Sequence, residues 1–138
     1  MLYADFTQNN GGWNQTAGIN FSVKMGDGLN YYSAYDANGN IKQMQQWGVK
    51  LNNSAQIDNL TYDYFNSSNK LKSVYDAAND ADTKLGDFRT SSNSINSGAL
   101  NASSKIDYSY DTNGNLTEDK NKDISSIIYN HLNLPYLI

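Results

Sequence analysis

The chain has no cysteine, one proline (Pro135), one histidine (His131) and one glutamate (Glu118). Without cysteine there is neither a disulfide framework nor thiolate chemistry, although this alone does not fix a compartment. A single histidine leaves no paired nucleophile and base unless His131 itself acts, and its Tyr129-Asn130-His131-Leu132-Asn133 setting reads as a turn. With so little Glu and so much Asn, Ser, Asp and Gly, the composition is one of strands and turns. There is no Lys/Arg cluster able to neutralise phosphates, and the net charge of −4 argues against a nucleic-acid partner. No stretch is long and apolar enough to cross a bilayer. The opening Met1-Leu2-Tyr3-Ala4-Asp5-Phe6 lacks a basic region followed by an apolar run, so no signal peptide is expected within the chain.

What is abundant is tyrosine. Only 38% of the 138 residues are hydrophobic, and the 11 Tyr and 2 Trp must carry much of the burial. Such polarity would permit disorder, but tyrosines alternating with short polar residues argue for strands instead. Leu60-Thr61-Tyr62-Asp63-Tyr64 and Ile106-Asp107-Tyr108-Ser109-Tyr110 both alternate in this way.

One string recurs. Tyr35-Asp36-Ala37-Asn38-Gly39-Asn40-Ile41 and Tyr110-Asp111-Thr112-Asn113-Gly114-Asn115-Leu116 share the pattern Tyr-Asp-x-Asn-Gly-Asn-(Ile/Leu). Asn-Gly between apolar strand ends predicts a two-residue type I′ hairpin turn, with both central residues at positive φ. The preceding Asp can accept bonds from backbone N–H groups further on. Weaker copies run from Tyr64 to Leu71, with one extra residue, and from Tyr129 through Asn130 and Asn133 to Pro135. The uneven spacing places an insertion between the second and third of these units. A chain that reuses one hairpin is expected to stack it into an array.

The string Tyr-Asp-x-x-Gly-Asn-Leu, followed by Ile127-Ile128-Tyr129-Asn130-His131-Leu132-Asn133-Leu134-Pro135, resembles the Rhs or YD-repeat proteins, most closely those in large exported bacterial proteins. Ile57-Asp58-Asn59-Leu60-Thr61-Tyr62, Gly86-Asp87-Phe88 and Asp119 to Ile127 fit the same resemblance, which covers residues 30–138. It implies a β-ribbon wound into a shell, often around a toxic cargo, as an extracellular or cell-surface part of a larger exported protein. Its partners would be neighbouring YD repeats. The Asp-Pro-x-Gly motif that closes such shells is missing.

The expected fold is all-β: sequential antiparallel hairpins in one twisted or coiled sheet, as one domain over residues 1–138. Residues 1–29 would form an N-terminal hairpin or cap, 30–75 the first repeats, 76–104 an inserted loop and 105–138 the last repeats. Leu29 to Tyr35 is expected as a returning strand and Gly48 as a bulge. The 76–104 segment is expected to fold over the sheet with Phe88 as anchor, carrying a helical turn near Asp76 to Leu85 at most.

No catalytic residue, cofactor or metal is expected. Asp111, Asn113, Asn115 and Glu118 resemble a calcium loop in composition, but Gly114 and Leu116 fall at the wrong places for one. Gly11-Gly12 and Gly26-Asp27-Gly28 open no helix and read as turns, not phosphate cradles. The motif residues Tyr35, Asp36, Asn38, Gly39, Ile41, Tyr64, Leu71, Tyr110, Asp111, Asn113, Gly114, Leu116 and Tyr129 are therefore structural. Rows such as Tyr31/Tyr35, Tyr62/Tyr64 and Tyr108/Tyr110 are expected to stack as core. The alternative is a carbohydrate-binding module, with Trp47, Tyr108 and Tyr110 as an exposed platform for sugar rings. The apolar finish of Ile127, Ile128, Leu132, Leu134, Leu137 and Ile138 points to self-association through an edge strand.

Overall fold

The computed structural model describes residues 2–9, 12–13, 19–50, 53–78, 88–89 and 105–138. The fold is all-β, as the composition requires. The strands are β1 (Tyr3–Asn9), β2 (Gly12–Trp13), β3 (Ile19–Met25), β4 (Gln43–Lys50), β5 (Asn53–Tyr64), β6 (Leu71–Asp76), β7 (Tyr108–Tyr110), β8 (Leu116–Asp119), β9 (Ile128–Tyr129) and β10 (Pro135–Leu137). One sheet runs in the order β2-β1-β3-β4-β5-β6, and β7-β8 and β9-β10 form two-stranded sheets of their own. The chain divides into two compact units, 1–61 with 76–89 and 62–75 with 90–138.

In the first unit β1 pairs antiparallel with β3, from Tyr3 opposite Lys24 to Gln8 opposite Ile19. Residues 3–9 thus form a strand although their sequence is weakly patterned. Between β3 and β4 the expected strand at Leu29 to Tyr35 is replaced by a single helical turn, α1 (Tyr31–Ala34). The reason is local capping. The Asp27 carboxylate accepts from the N–H groups of Leu29 and Asn30 at 2.9 and 2.7 Å. The Asn30 side chain then accepts from the Tyr32 N–H, as an N-cap does. These bonds outweigh the strand preference of two consecutive tyrosines. Tyr31 and Tyr35 still meet, with ring centroids 4.9 Å apart, because four residues is one helical turn. Gly26, at φ +57°, lies so close to the Ala34 backbone that a Cβ there would have no room.

β4 and β5 form a hairpin whose register slips between Gln46 and Trp47. Gln46 faces Asp58 and Trp47 faces Gln56, so Ile57 is the extra, bulged residue. The bulge lies on β5, not at Gly48. Gly48 lies close to it: a Cβ there would come to 3.0 Å from the end of the Ile57 side chain, which would have to shift by a few tenths of an ångström. Among the described residues of this unit, Ile57, Leu60 and Ala34 are the buried apolar ones.

The second unit is a meander. The β5–β6 hairpin closes with the Phe65 N–H donating to the Lys70 carbonyl. The Lys105–Asp107 segment then runs beside β6, where the Asp107 N–H donates to the Lys72 carbonyl at 2.8 Å. After β7 and β8 a 3₁₀ turn at Lys120–Lys122 is capped by Asp119. Ile124 bridges back to Asp119, and the Ile127 N–H donates to the Thr117 carbonyl. Pro135 lies in β10, opposite Tyr129. Val74 and Tyr108 are buried in this unit together with Asp107 and Lys105. Asp76 and Phe88 fall within the expected inserted loop of residues 76–104. Asp76 ends β6, and the Phe88 N–H donates to the Asp58 carboxylate at 2.7 Å. Phe88 is thus held by a backbone bond. Residues 79–87 and 90–104 of the expected loop, where most of the expected helical turn falls, lie outside the described residues, as does Gly11.

Candidate functional site: the Tyr–Asx turns

The two Tyr-Asp-x-Asn-Gly-Asn strings make the same turn. In the first, the Asp36 N–H donates to the Asn40 carbonyl at 2.9 Å and the Gly39 N–H to the Asp36 carbonyl at 3.1 Å. In the second, the matching bonds run from Asp111 to Asn115 and from Gly114 to Asp111, at 3.0 and 3.1 Å. Gly39 and Gly114 sit at φ +84° and +91°, but Asn38 and Asn113 are not at positive φ. The turn is therefore not type I′. It is a three-residue loop, a type I turn followed by a left-handed glycine.

The carboxylate explains the difference. Asp36 accepts from the N–H groups of Asn38 and Asn40 at 2.9 and 2.8 Å and from the Asn40 Nδ2 at 2.8 Å. Asp111 accepts from Asn113, Asn115 and the Asn115 Nδ2 at 2.9, 2.8 and 2.8 Å. Gathering those amides on one side chain requires right-handed backbone at the two residues that follow it. Three donors also hold both carboxyls below the usual Asp range, the Asn40 and Asn115 side chains contributing most.

A third copy has diverged in sequence and kept the geometry. Asn130 takes the place of Asp, accepting from the Leu132 and Leu134 N–H groups at 2.9 and 3.1 Å. Asn133 takes the place of Gly, at φ +58°. The Asn133 N–H donates to the Asn130 carbonyl, and the Asn130 N–H to the Leu134 carbonyl, both at 3.0 Å. His131 is then an exposed loop position, equivalent to Ala37 and Thr112. The Tyr64 to Leu71 copy differs. Its extra residue gives a turn with the left-handed position at Ser67, φ +55°. In the three matching copies Tyr35 faces Ile41, Tyr110 faces Leu116 and Tyr129 faces Pro135.

Successive hairpins of the second unit are joined by one repeated bond that sequence reasoning missed. The Tyr110 hydroxyl donates to the Leu71 carbonyl at 3.0 Å, and the Tyr129 hydroxyl donates to the Leu116 carbonyl at 2.8 Å. In each case the motif Tyr of one hairpin reaches the residue that closes the preceding turn. The turns also touch. The Nδ2 atoms of Asn113 and Asn115 donate to the Asn133 Oδ1 at 3.1 and 2.9 Å. The only signal in the sequence was the recurrence of Tyr and Leu at fixed places.

The rings proposed as a sugar platform are engaged elsewhere. Tyr108 is 9% exposed, and burial pushes its hydroxyl up to about 12. Tyr110 lies under the Lys70 ammonium at 5.4 Å and edge-on to Phe65 at 6.3 Å. Trp47 has the Lys24 ammonium 5.5 Å from its ring. Among the described residues the open rings include Tyr31 and Tyr32, 52% and 77% exposed and next in sequence to Leu29 at 88%, and Tyr136 at 66%.

Glu118 accepts from the Ser109 hydroxyl at 2.7 Å, and the Asp111 oxygens face amides. Among the described residues no three acidic, His or Cys side chains converge as a metal site, and no helix is long and apolar enough to cross a membrane. A cavity of about 300 Å³ is lined by Glu118, Lys120, Asp123, Ile124 and Ser125. Its Lys120 ammonium donates to the Ile106 carbonyl. Comparison with protein-family models, curated proteins and solved structures finds no match to this chain.

Proposed function

We propose that the chain is a non-enzymatic structural element, a segment of wall built by stacking Tyr–Asx hairpins. The repeated bond from a motif tyrosine to the carbonyl closing the preceding hairpin carries this reading. Such a bond adds one hairpin to the last in a fixed register and can recur without limit, which is what a wall requires. The resemblance to YD repeats extends the reading to a shell around a toxic cargo, within a larger exported protein. Among the described residues β10 pairs only with β9, and Leu137 and Ile138 are 56% and 76% exposed, so this edge would take another strand. Light scattering over a range of concentrations tests it. Mass should grow with concentration and fall to that of a monomer in Leu137→Lys. A wild-type monomer at every concentration overturns the wall reading.

A second reading has its own observation. The exposed Tyr31, Tyr32 and Leu29 form an aromatic patch on which a sugar ring could stack. A glycan array with Tyr32→Ala as control decides it, since binding lost in that variant would favour a carbohydrate-binding module.

A further inference from the structure

We propose that Asn38 is a site of selective spontaneous deamidation, and that the equivalent Asn113 is protected by its neighbouring turn. Each asparagine precedes a glycine, which lacks a side chain to shield its nitrogen. The Gly39 nitrogen attacks the Asn38 Cγ and gives up its proton. The Cγ–Nδ2 bond breaks and ammonia leaves, forming a five-membered imide. Water then opens the imide at either carbonyl, giving aspartate or isoaspartate.

The closed turn opposes the attack in both copies, because each glycine N–H is held at 3.1 Å by the Asp carbonyl. Reaction needs local opening, and its rate follows the population of the open turn. The two turns share every internal bond, so what differs is outside them. The Asn113 Nδ2 donates to Asn133 at 3.1 Å, Asn115 donates to the same oxygen, and the Lys70 side chain lies 3.6 Å from the space beside Gly114. Among the described residues the Asn38 carboxamide has no hydrogen bond, and nothing lies within 4 Å of the space beside Gly39. Asn38 and Gly39 are exposed, whereas Gly114 is half-buried. Of two chemically identical sites, the Asn113 carboxamide must give up a bond to the neighbouring turn before it can rotate, and the Asn38 carboxamide has no such bond among the described residues.

One hydrogen bond of ordinary net strength separates the two rates by about fivefold. The test is incubation of the full chain at mildly alkaline pH, followed by peptide mapping with fragmentation that separates isoaspartate from aspartate. Asn38 should convert about fivefold faster than Asn113 or more. Asn133→Gly, which places at that position the residue the other two turns use, should keep the turn and bring Asn113 towards the Asn38 rate. Equal rates in the wild type, a faster Asn113, or no response of Asn113 to Asn133→Gly would each overturn the proposal.

Discussion

Removing the hydroxyl of Tyr129 should weaken the stacked hairpins while leaving every ring in place. In Tyr129→Phe the 2.8 Å bond to the Leu116 carbonyl is lost and the aromatic face stays. Both residues are half-buried, so water can reach the carbonyl in part and the full penalty for an orphaned acceptor does not apply. The expected loss is therefore about 1 kcal/mol, the net worth of a typical hydrogen bond. Tyr110→Phe removes the 3.0 Å bond to Leu71 and should lose a similar amount, since its ring keeps Lys70 and Phe65. Tyr110 also faces Leu116 across its hairpin, so the donor of one bond lies opposite the acceptor residue of the other and the double variant should not be additive. Tyr136→Phe is the control, for Tyr136 is 66% exposed. Urea unfolding reads all four variants against the wild type. If Tyr129→Phe and Tyr136→Phe are indistinguishable, the repeated bond does not hold the hairpins together and the structural reading loses its main support.

Gly39→Ala and Gly114→Ala should each destabilise by about 1–2 kcal/mol through backbone strain alone. The Lys70 arm near Gly114 is at ordinary contact distance, so a large difference between the two in chemical denaturation would contradict the shared geometry. Asp58 is 2% exposed, and desolvation, with Asp76 nearby, raises its pKa. Protonation therefore favours the folded state, and this stability is lost as pH rises through the raised value. Asp58→Asn keeps an acceptor for the Phe88 N–H without the charge, so it should be at least as stable as wild type near pH 7. A clear loss in thermal melts would show that the charge itself is needed. Tyr108, raised from 10.0 to about 12, stabilises fully below 10.0 and progressively less as pH rises between the two values. Fluorescence-detected unfolding across that window should show a steepening loss that Tyr108→Phe lacks.

The sequence by itself determined the all-β class, the places of the Tyr–Asx hairpins and the left-handed glycines at 39 and 114. All of these follow from residues within a few positions of one another. It also held the capping signals of Asp27 and Asn30, but two tyrosines in a row masked a single helical turn as strand. The turn type was legible in principle as well. It was misassigned because Asn-Gly suggests a type I′ turn unless the Asp before it collects the following amides, as Asp36 and Asp111 do. Copies that diverged, such as Asn130 with Asn133, were recognised only faintly, since geometry is retained by any residue that can accept the amides or adopt positive φ. Tertiary structure alone decided the rest. The tyrosines that bond to a preceding carbonyl, the burial of Asp58, Asp107 and Lys105, and the capture of the Phe88 N–H all depend on strands distant in the chain. The Ile57 bulge, close to Gly48, depends on register between two strands, and no spacing within either one encodes it. Local rules place the turns, and packing between hairpins decides which of their side chains remain exposed.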